Sequence, residues 1–138
     1  MVLSVGDSAS ISKTISESDV YGFAGIVGDF NPVHINAIEA EKSIFGKRVA
    51  HGMLVGSMIS AVLGMKLPGP GTVYLEQNLK FLRPTYLNDT VTAVVTVKEI
   101  INPGKGILKL ETKVLNQDDQ CVVDGYAVVM FRSKTNPA

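Results

Sequence analysis

The 138 residues contain no tryptophan, one cysteine and two histidines, and 13 basic side chains are balanced by 13 acidic ones. Each scarcity closes off a class of function. A single cysteine, Cys121, excludes an internal disulfide and any cysteine metal cluster. Set between Gln120 and Val122 in a strand-like stretch, it reads as a small packing residue rather than a nucleophile. Zero net charge leaves neither a basic groove for nucleic acid nor a cationic face for an anionic membrane. No glycine-rich phosphate loop, nucleotide fingerprint or metal-ligand spacing stands in the sequence, so neither cofactor nor metal is expected. The first residues carry no basic stretch followed by an apolar run, and the expected location is therefore cytoplasmic.

What is present suits one domain, spanning residues 1–138, long enough to bury about two thirds of its unfolded surface without staples. Hydrophobic residues make up 46% of the chain, more than a small monomer hides comfortably, and a homodimer or dimer-based oligomer is the expected outlet.

The organising stretch is residues 51–67. Between Met53 and Met65 it has no charge and no proline, and its only polar side chains are Ser57 and Ser60. A surface helix would set an apolar stripe against a charged one, so this helix is expected to be buried on every side. It is too short to span a bilayer, which takes about 20 apolar residues. Gly52, Gly56, Ser60 and Gly64 recur every fourth residue and form a low ridge on one face, where another backbone or a ligand can approach closely.

Before it, residues 8–15 alternate small polar and apolar side chains, as a short edge strand does. Ser16 followed by Asp19 forms a capping box, Val20, Phe23, Ala24 and Val27 keep helical spacing, and Gly28 ends the helix. Pro32 forbids a continuous helix over residues 29–34, and Asn36 can cap a second short one. After the Leu67-Pro68-Gly69-Pro70-Gly71 loop, four strands are predicted over residues 72–82, 89–101, 107–115 and 121–131, with a loose tail over 133–138. Helices first and hairpin-linked strands later point to an α+β fold with an antiparallel sheet around a long central helix.

For chemistry, Asp29 and His34 can converge because Asn31-Pro32 bends the chain between them. A carboxylate and a neutral imidazole sharing one water form an acid–base pair suited to neutral pH. On spacing alone, the plainer alternative is that Asp29 caps a turn while His34 is satisfied in the core. Asn31 is either a turn residue or a donor orienting the pair. His51 is a helix-entry residue or the competing acid–base candidate. Ser57 and Ser60 either line a ligand tunnel or bond back to helix carbonyls. Met58 and Leu63 are core residues unless one faces the tunnel end.

The run Phe23-Ala24 and Gly28-Asp29-Phe30-Asn31-Pro32-Val33-His34 resembles the hydratase-2 motif of the MaoC-like, (R)-specific enoyl-CoA hydratases. The segments Ala50-His51-Gly52-Met53-Leu54, Leu67-Pro68-Gly69 and Phe81-Leu82-Arg83-Pro84 follow in the family's order, so the resemblance covers roughly residues 16–131. Val27 stands where the family often has serine or threonine and Asn36 where it often has aspartate; neither is a reacting group. The resemblance implies a hot-dog fold, dimerisation that extends the sheet, and reversible hydration of trans-2-enoyl-CoA to (R)-3-hydroxyacyl-CoA. It implies Asp29 and His34 as the catalytic pair holding the water, and the Gly52 backbone N–H as donor to the thioester oxygen. Ser57, Ser60 and Leu63 are then candidates for the acyl site. Lys42, Lys47, Arg48, Lys66, Lys80 and Arg83 include candidates for the CoA phosphates. A hot-dog thioesterase and a non-catalytic acyl-CoA-binding module are the alternatives. The full Asp29-to-His34 motif suits hydration better than the former, and a sensor would be expected to lose the pair.

Overall fold

The computed structural model describes residues 2–132; the expected loose tail over 133–138 lies outside them. Strand β1 (Ser8–Thr14) is followed by helices α1 (Glu17–Val27), α2 (Pro32–Ile35), α3 (Ala37–Lys42) and α4 (Gly52–Met65). Strands β2 (Val73–Phe81), β3 (Thr90–Asn102), β4 (Ile107–Leu115) and β5 (Cys121–Met130) complete the chain. They form one antiparallel sheet in the order β1-β3-β4-β5-β2, with β1 and β2 at its edges.

Local chemistry accounts for the helical ends. The Ser16 side chain accepts from the Asp19 N–H, the Asp19 carboxylate accepts from the Ser16 N–H, and both distances are 3.0 Å. Gly28 closes α1 at φ 81°, a left-handed conformation that costs glycine little, and donates its N–H to the Ala24 carbonyl. Asn36 caps α3 through bonds from the Ile38 and Glu39 N–H groups.

The core is the contact between α4 and the inner face of the sheet. Val55, Ile59 and Val62, at helical spacing, are buried against β3 residues Val91, Ala93, Val95 and Val97 and β4 residues Leu108, Leu110 and Val114, which alternate inward. The helix is not buried on every side, as its composition suggests. Gly52, Ser57 and Ser60 are exposed, as are Met53 at 58% and Met65 at 70%. The reason is geometric: α4 packs on β1, β3 and β4, and the sheet of a single chain covers only that face of it.

The glycine ridge is filled by side chains rather than by backbone. Leu79 and Phe81, two residues apart on β2, lie against Gly56 and Gly52, four residues apart on α4. Two strand residues advance about 6.6 Å and four helical residues about 6.0 Å, so the two repeats stay in step over this length. At the other side of β2, Gly125 of β5 pairs with Leu79, and a Cβ there would stand 1.8 Å from the Asn78 carbonyl oxygen.

Candidate active site

Between α1 and α3 the chain does what proline allows rather than what it forbids. Pro32 occupies the first turn of α2, where its missing N–H is no loss, and Asn31 caps that turn by accepting from the Val33 N–H at 3.3 Å. His34 therefore lies on a short helical turn and not in the irregular loop that the sequence suggests. Asp29 forms its own turn, its Oδ1 accepting the Asn31 N–H at 3.1 Å. Asn31 is thus a turn and cap residue through its oxygen.

His34 is 8% exposed, and its Nδ1 donates to the Val49 carbonyl at 2.6 Å. A carbonyl only accepts, so this bond assigns the proton to Nδ1 and leaves the Nε2 lone pair free. His51, 3% exposed, caps the entry to α4 by position, and its Nε2 donates to the backbone carbonyl of Asp29 at 2.9 Å. The imidazoles of His34 and His51 stack with centroids 3.7 Å apart and planes 26° from parallel, and the Phe23 ring lies tilted against His51 at 5.0 Å. Asp29, His34 and His51 each bring one donor atom within 4.8 Å of the others. Linear spacing shows no such cluster, because His51 arrives from the start of another helix. With the His51 Nε2–H committed to the Asp29 carbonyl, Asp29 and His34 are the two of the three that can share a water.

Two clefts meet at this cluster. The larger, about 440 Å³, is lined by Asn31, Val33, His34, Phe45, Val49, Gly52, Phe81 and Arg83 among others. The smaller, about 290 Å³, is lined by Phe23, Val27, Asp29, His34, His51, Gly52 and Met53. His34 and Gly52 belong to both, so the wall between the clefts carries the histidine and the first residue of α4. That first turn presents backbone N–H groups with no intrahelical acceptor, at the positive end of the helix dipole.

A third depression of about 470 Å³ runs along the exposed side of α4, between it and β2, and is lined by Met53, Gly56, Ser57, Ser60, Tyr74, Leu75 and Leu79 among others. Met53 joins it to the smaller cleft. Ser57 and Ser60 thus face one groove, although Ser57 also bonds back to the Leu54 carbonyl at 2.6 Å. Leu63 is 1% exposed in the core and lines none of these three spaces. Tyr74, whose hydroxyl bonds to Gln77, has its pKa pushed up to about 12 by burial and stays neutral.

Of the six basic candidates, most have other partners. Arg48 pairs with Glu17 at 2.8 Å and donates to the Tyr21 hydroxyl at 2.6 Å, and the bond to Glu17 raises its pKa further. Lys66 donates to the Ser10 carbonyl, Lys42 lies 3.8 Å from Glu39, and Lys47 sits over the Tyr86 ring at 4.5 Å. Lys80 lies with Lys98 and Lys109 in a depression lined by neither Asp29 nor His34. Arg83 alone of the six lines the larger cleft. Burial raises the Cys121 thiol pKa, which keeps it protonated and inert, in line with a packing role.

Phe81 stands in the sequence only as part of the Phe81-Leu82-Arg83-Pro84 segment, with no role of its own. Its ring rests on Gly52 at the wall between the clefts, and the matched spacing of Gly52 and Gly56 with Leu79 and Phe81 was the signal that could have found it.

Comparison with known proteins identifies the family and the fold. The MaoC like domain matches residues 6–119. The chain is 49% identical to the (R)-specific enoyl-CoA hydratase of Rhodospirillum rubrum, over 94% of this chain and 88% of that protein. It is 43% identical to the 3-hydroxybutyryl-CoA dehydratase of Methylorubrum extorquens, over 96% and 83%. Its structure superposes on the (R)-hydratase from A. caviae involved in PHA biosynthesis with a TM-score of 0.90, at 39% identity, covering 94% of this chain and 97% of that one.

Proposed function

The chain belongs to the MaoC-like domain family, and from that premise we propose that it hydrates trans-2-enoyl-CoA to (R)-3-hydroxyacyl-CoA and catalyses the reverse dehydration. It is a hydro-lyase of the hot-dog fold. The observation that carries the reaction is the placement of the Asp29 carboxylate and a His34 ring nitrogen within 4.8 Å of each other, beside the first turn of α4.

Hydration adds the oxygen of water to C3 and a proton to C2, while negative charge builds on the thioester oxygen. Asp29 keeps an oxygen beyond the one bonded to Asn31, and His34 keeps Nε2, so both can bind a single water. The pair takes one proton from the water as its oxygen adds to C3 and delivers that proton to C2, so the addition balances, the pair is returned unchanged, and the two act as a coupled unit. A syn addition needs only one face of the substrate, which two side chains converging within 4.8 Å can serve. The Gly52 N–H receives the thioester oxygen, and a preorganised donor of this kind is worth about 3–4 kcal/mol of barrier. Addition of water is redox-neutral and balances without a cofactor.

The substrate is laid along the joined spaces. The larger cleft takes the pantetheine arm with Arg83 toward the phosphates, the thioester lies at His34 and Gly52, and the acyl chain passes Met53 toward Ser57 and Ser60. Dimerisation follows the β2 edge. Val73, Tyr74 and Leu75 on β2 and the adjoining Leu82 are 42–53% exposed, whereas the opposite edge, β1, carries Ser10, Ser12, Lys13 and Thr14. A second copy against β2 would also cover the exposed side of α4.

The test is an enoyl-CoA assay across chain lengths with chiral analysis of the product. Formation of (R)-3-hydroxybutyryl-CoA from crotonyl-CoA is expected, with turnover reduced about 10²–10⁴-fold in Asp29→Asn and in His34→Ala. An S product, or near-native turnover in either variant, overturns the assignment.

A further inference from the structure

His51 belongs to neither half of the reacting pair, yet it touches both. Its Nε2–H is bonded to the backbone carbonyl of Asp29 at 2.9 Å. Its ring lies on His34 at 3.7 Å between centroids. Its own carbonyl accepts the Leu54 and Val55 N–H groups, which starts the helix whose next residue is Gly52. The free ring nitrogen, Nδ1, is sealed from solvent and has no hydrogen-bond partner among the described residues. A base whose only lone pair is closed off cannot take a proton from a water in the cleft. An apolar ring of the same shape would avoid the orphaned Nδ1 but would strip the Asp29 carbonyl of its donor.

We propose that His51 is a positioning residue for the hydration, a side chain that ties the Asp29 turn, the His34 ring and the entry of α4 into a single rigid unit. The inference rests on the hydratase reading above. Three components of the site come from separate stretches of chain: the turn at Asp29, the helical turn at His34, and the start of α4. Asp29 is exposed and its turn is held on the His51 side by that one bond to its backbone. Loss of the bond frees the carboxylate to move relative to His34 while leaving the fold and the clefts in place. Misplacement of a reacting group by even about 1 Å lowers the rate about 10²-fold without requiring weaker substrate binding.

Two substitutions separate the contacts. His51→Phe keeps a flat ring over His34 and removes the donor to Asp29. His51→Gln loses the ring but places an amide N–H near the position of Nε2. The expected result with crotonyl-CoA is a 10- to 100-fold fall in kcat for His51→Phe, with KM within about threefold of native, and recovery to within about fivefold in His51→Gln. Nitrogen-15 spectra of histidine-labelled native protein should show His51 protonated at Nε2 and His34 at Nδ1. The proposal is overturned if His51→Phe stays within threefold of native, if His51→Gln is impaired as much as His51→Phe, or if the native His51 carries its proton on Nδ1. The spectrum decides the matter even where a variant fails to fold. Absence of turnover in the native protein itself would refute the hydratase reading instead, with the tautomers still measurable.

Discussion

The ring of Phe81 rests on the bare Cα of Gly52, so closely that a methyl group there would stand 2.9 Å from Phe81 Cδ1. An aromatic side chain from the edge strand thereby covers the first residue of the central helix, at the wall shared by the two clefts. Phe81 is itself 52% exposed, so its ring has room to swing away. A side chain at Gly52 is therefore tolerable for folding and harmful to the site.

Gly52→Pro isolates the backbone donor. Proline is acceptable at the first position of a helix, and His51 at φ −60° and ψ 133° already has the extended geometry that precedes proline. Turnover of crotonyl-CoA should fall about 10²–10³-fold, as expected for loss of an oxyanion donor, while the melting temperature drops only a few degrees. Parallel kinetics and thermal denaturation of this variant and of Gly52→Ala, which retains the N–H and should be less impaired, check the assignment.

Ser60→Leu should narrow the groove between α4 and β2 and shift preference toward shorter acyl chains. The side chain is exposed on the groove wall, so the fold should be little affected. The measurement is kcat/KM against acyl length. An unchanged profile would show that the acyl chain takes another route.

Gly125→Ala should be among the most damaging single substitutions for stability. The new methyl would meet the Asn78 oxygen at 1.8 Å and its carbon at 2.7 Å, both backbone atoms of the paired strand β2. Strand separation is the only relief, and a loss of about 3 kcal/mol or more is expected in denaturant unfolding.

Stability should also record the cap of α1. The Ser16 backbone bond, with smaller help from Lys13 and against a partial opposing effect of burial, holds the Asp19 carboxyl below its usual pKa range. A lowered folded-state pKa adds stability above the unfolded value, and that addition is lost as pH falls through the folded one. Asp19→Asn should therefore cost about 0.5–1 kcal/mol at neutral pH, and the gap from native should close below the ordinary carboxylate range. Thermal unfolding followed from neutral pH into acid measures it.

Sequence alone determined most of the elements and singled out the candidate pair, though it read the helical turn at Pro32–Ile35 as an irregular loop. Capping residues, proline positions and alternation are local, and so Ser16, Gly28, Asn36 and the four later strands could be placed from neighbours a few residues away. Asp29 and His34 are five residues apart, and a turn suffices to join them. Tertiary structure decided everything that depends on separate segments meeting. It set His51 onto His34 across 17 residues of sequence, put Phe81 over Gly52, and singled out Arg83 by the cleft it lines. It also decided that one side of α4 stays uncovered, because composition records how apolar a helix is but not how far one sheet can reach around it. The central helix is thus core on the face toward β3 and β4, site wall at Gly52, and open groove along Ser57 and Ser60.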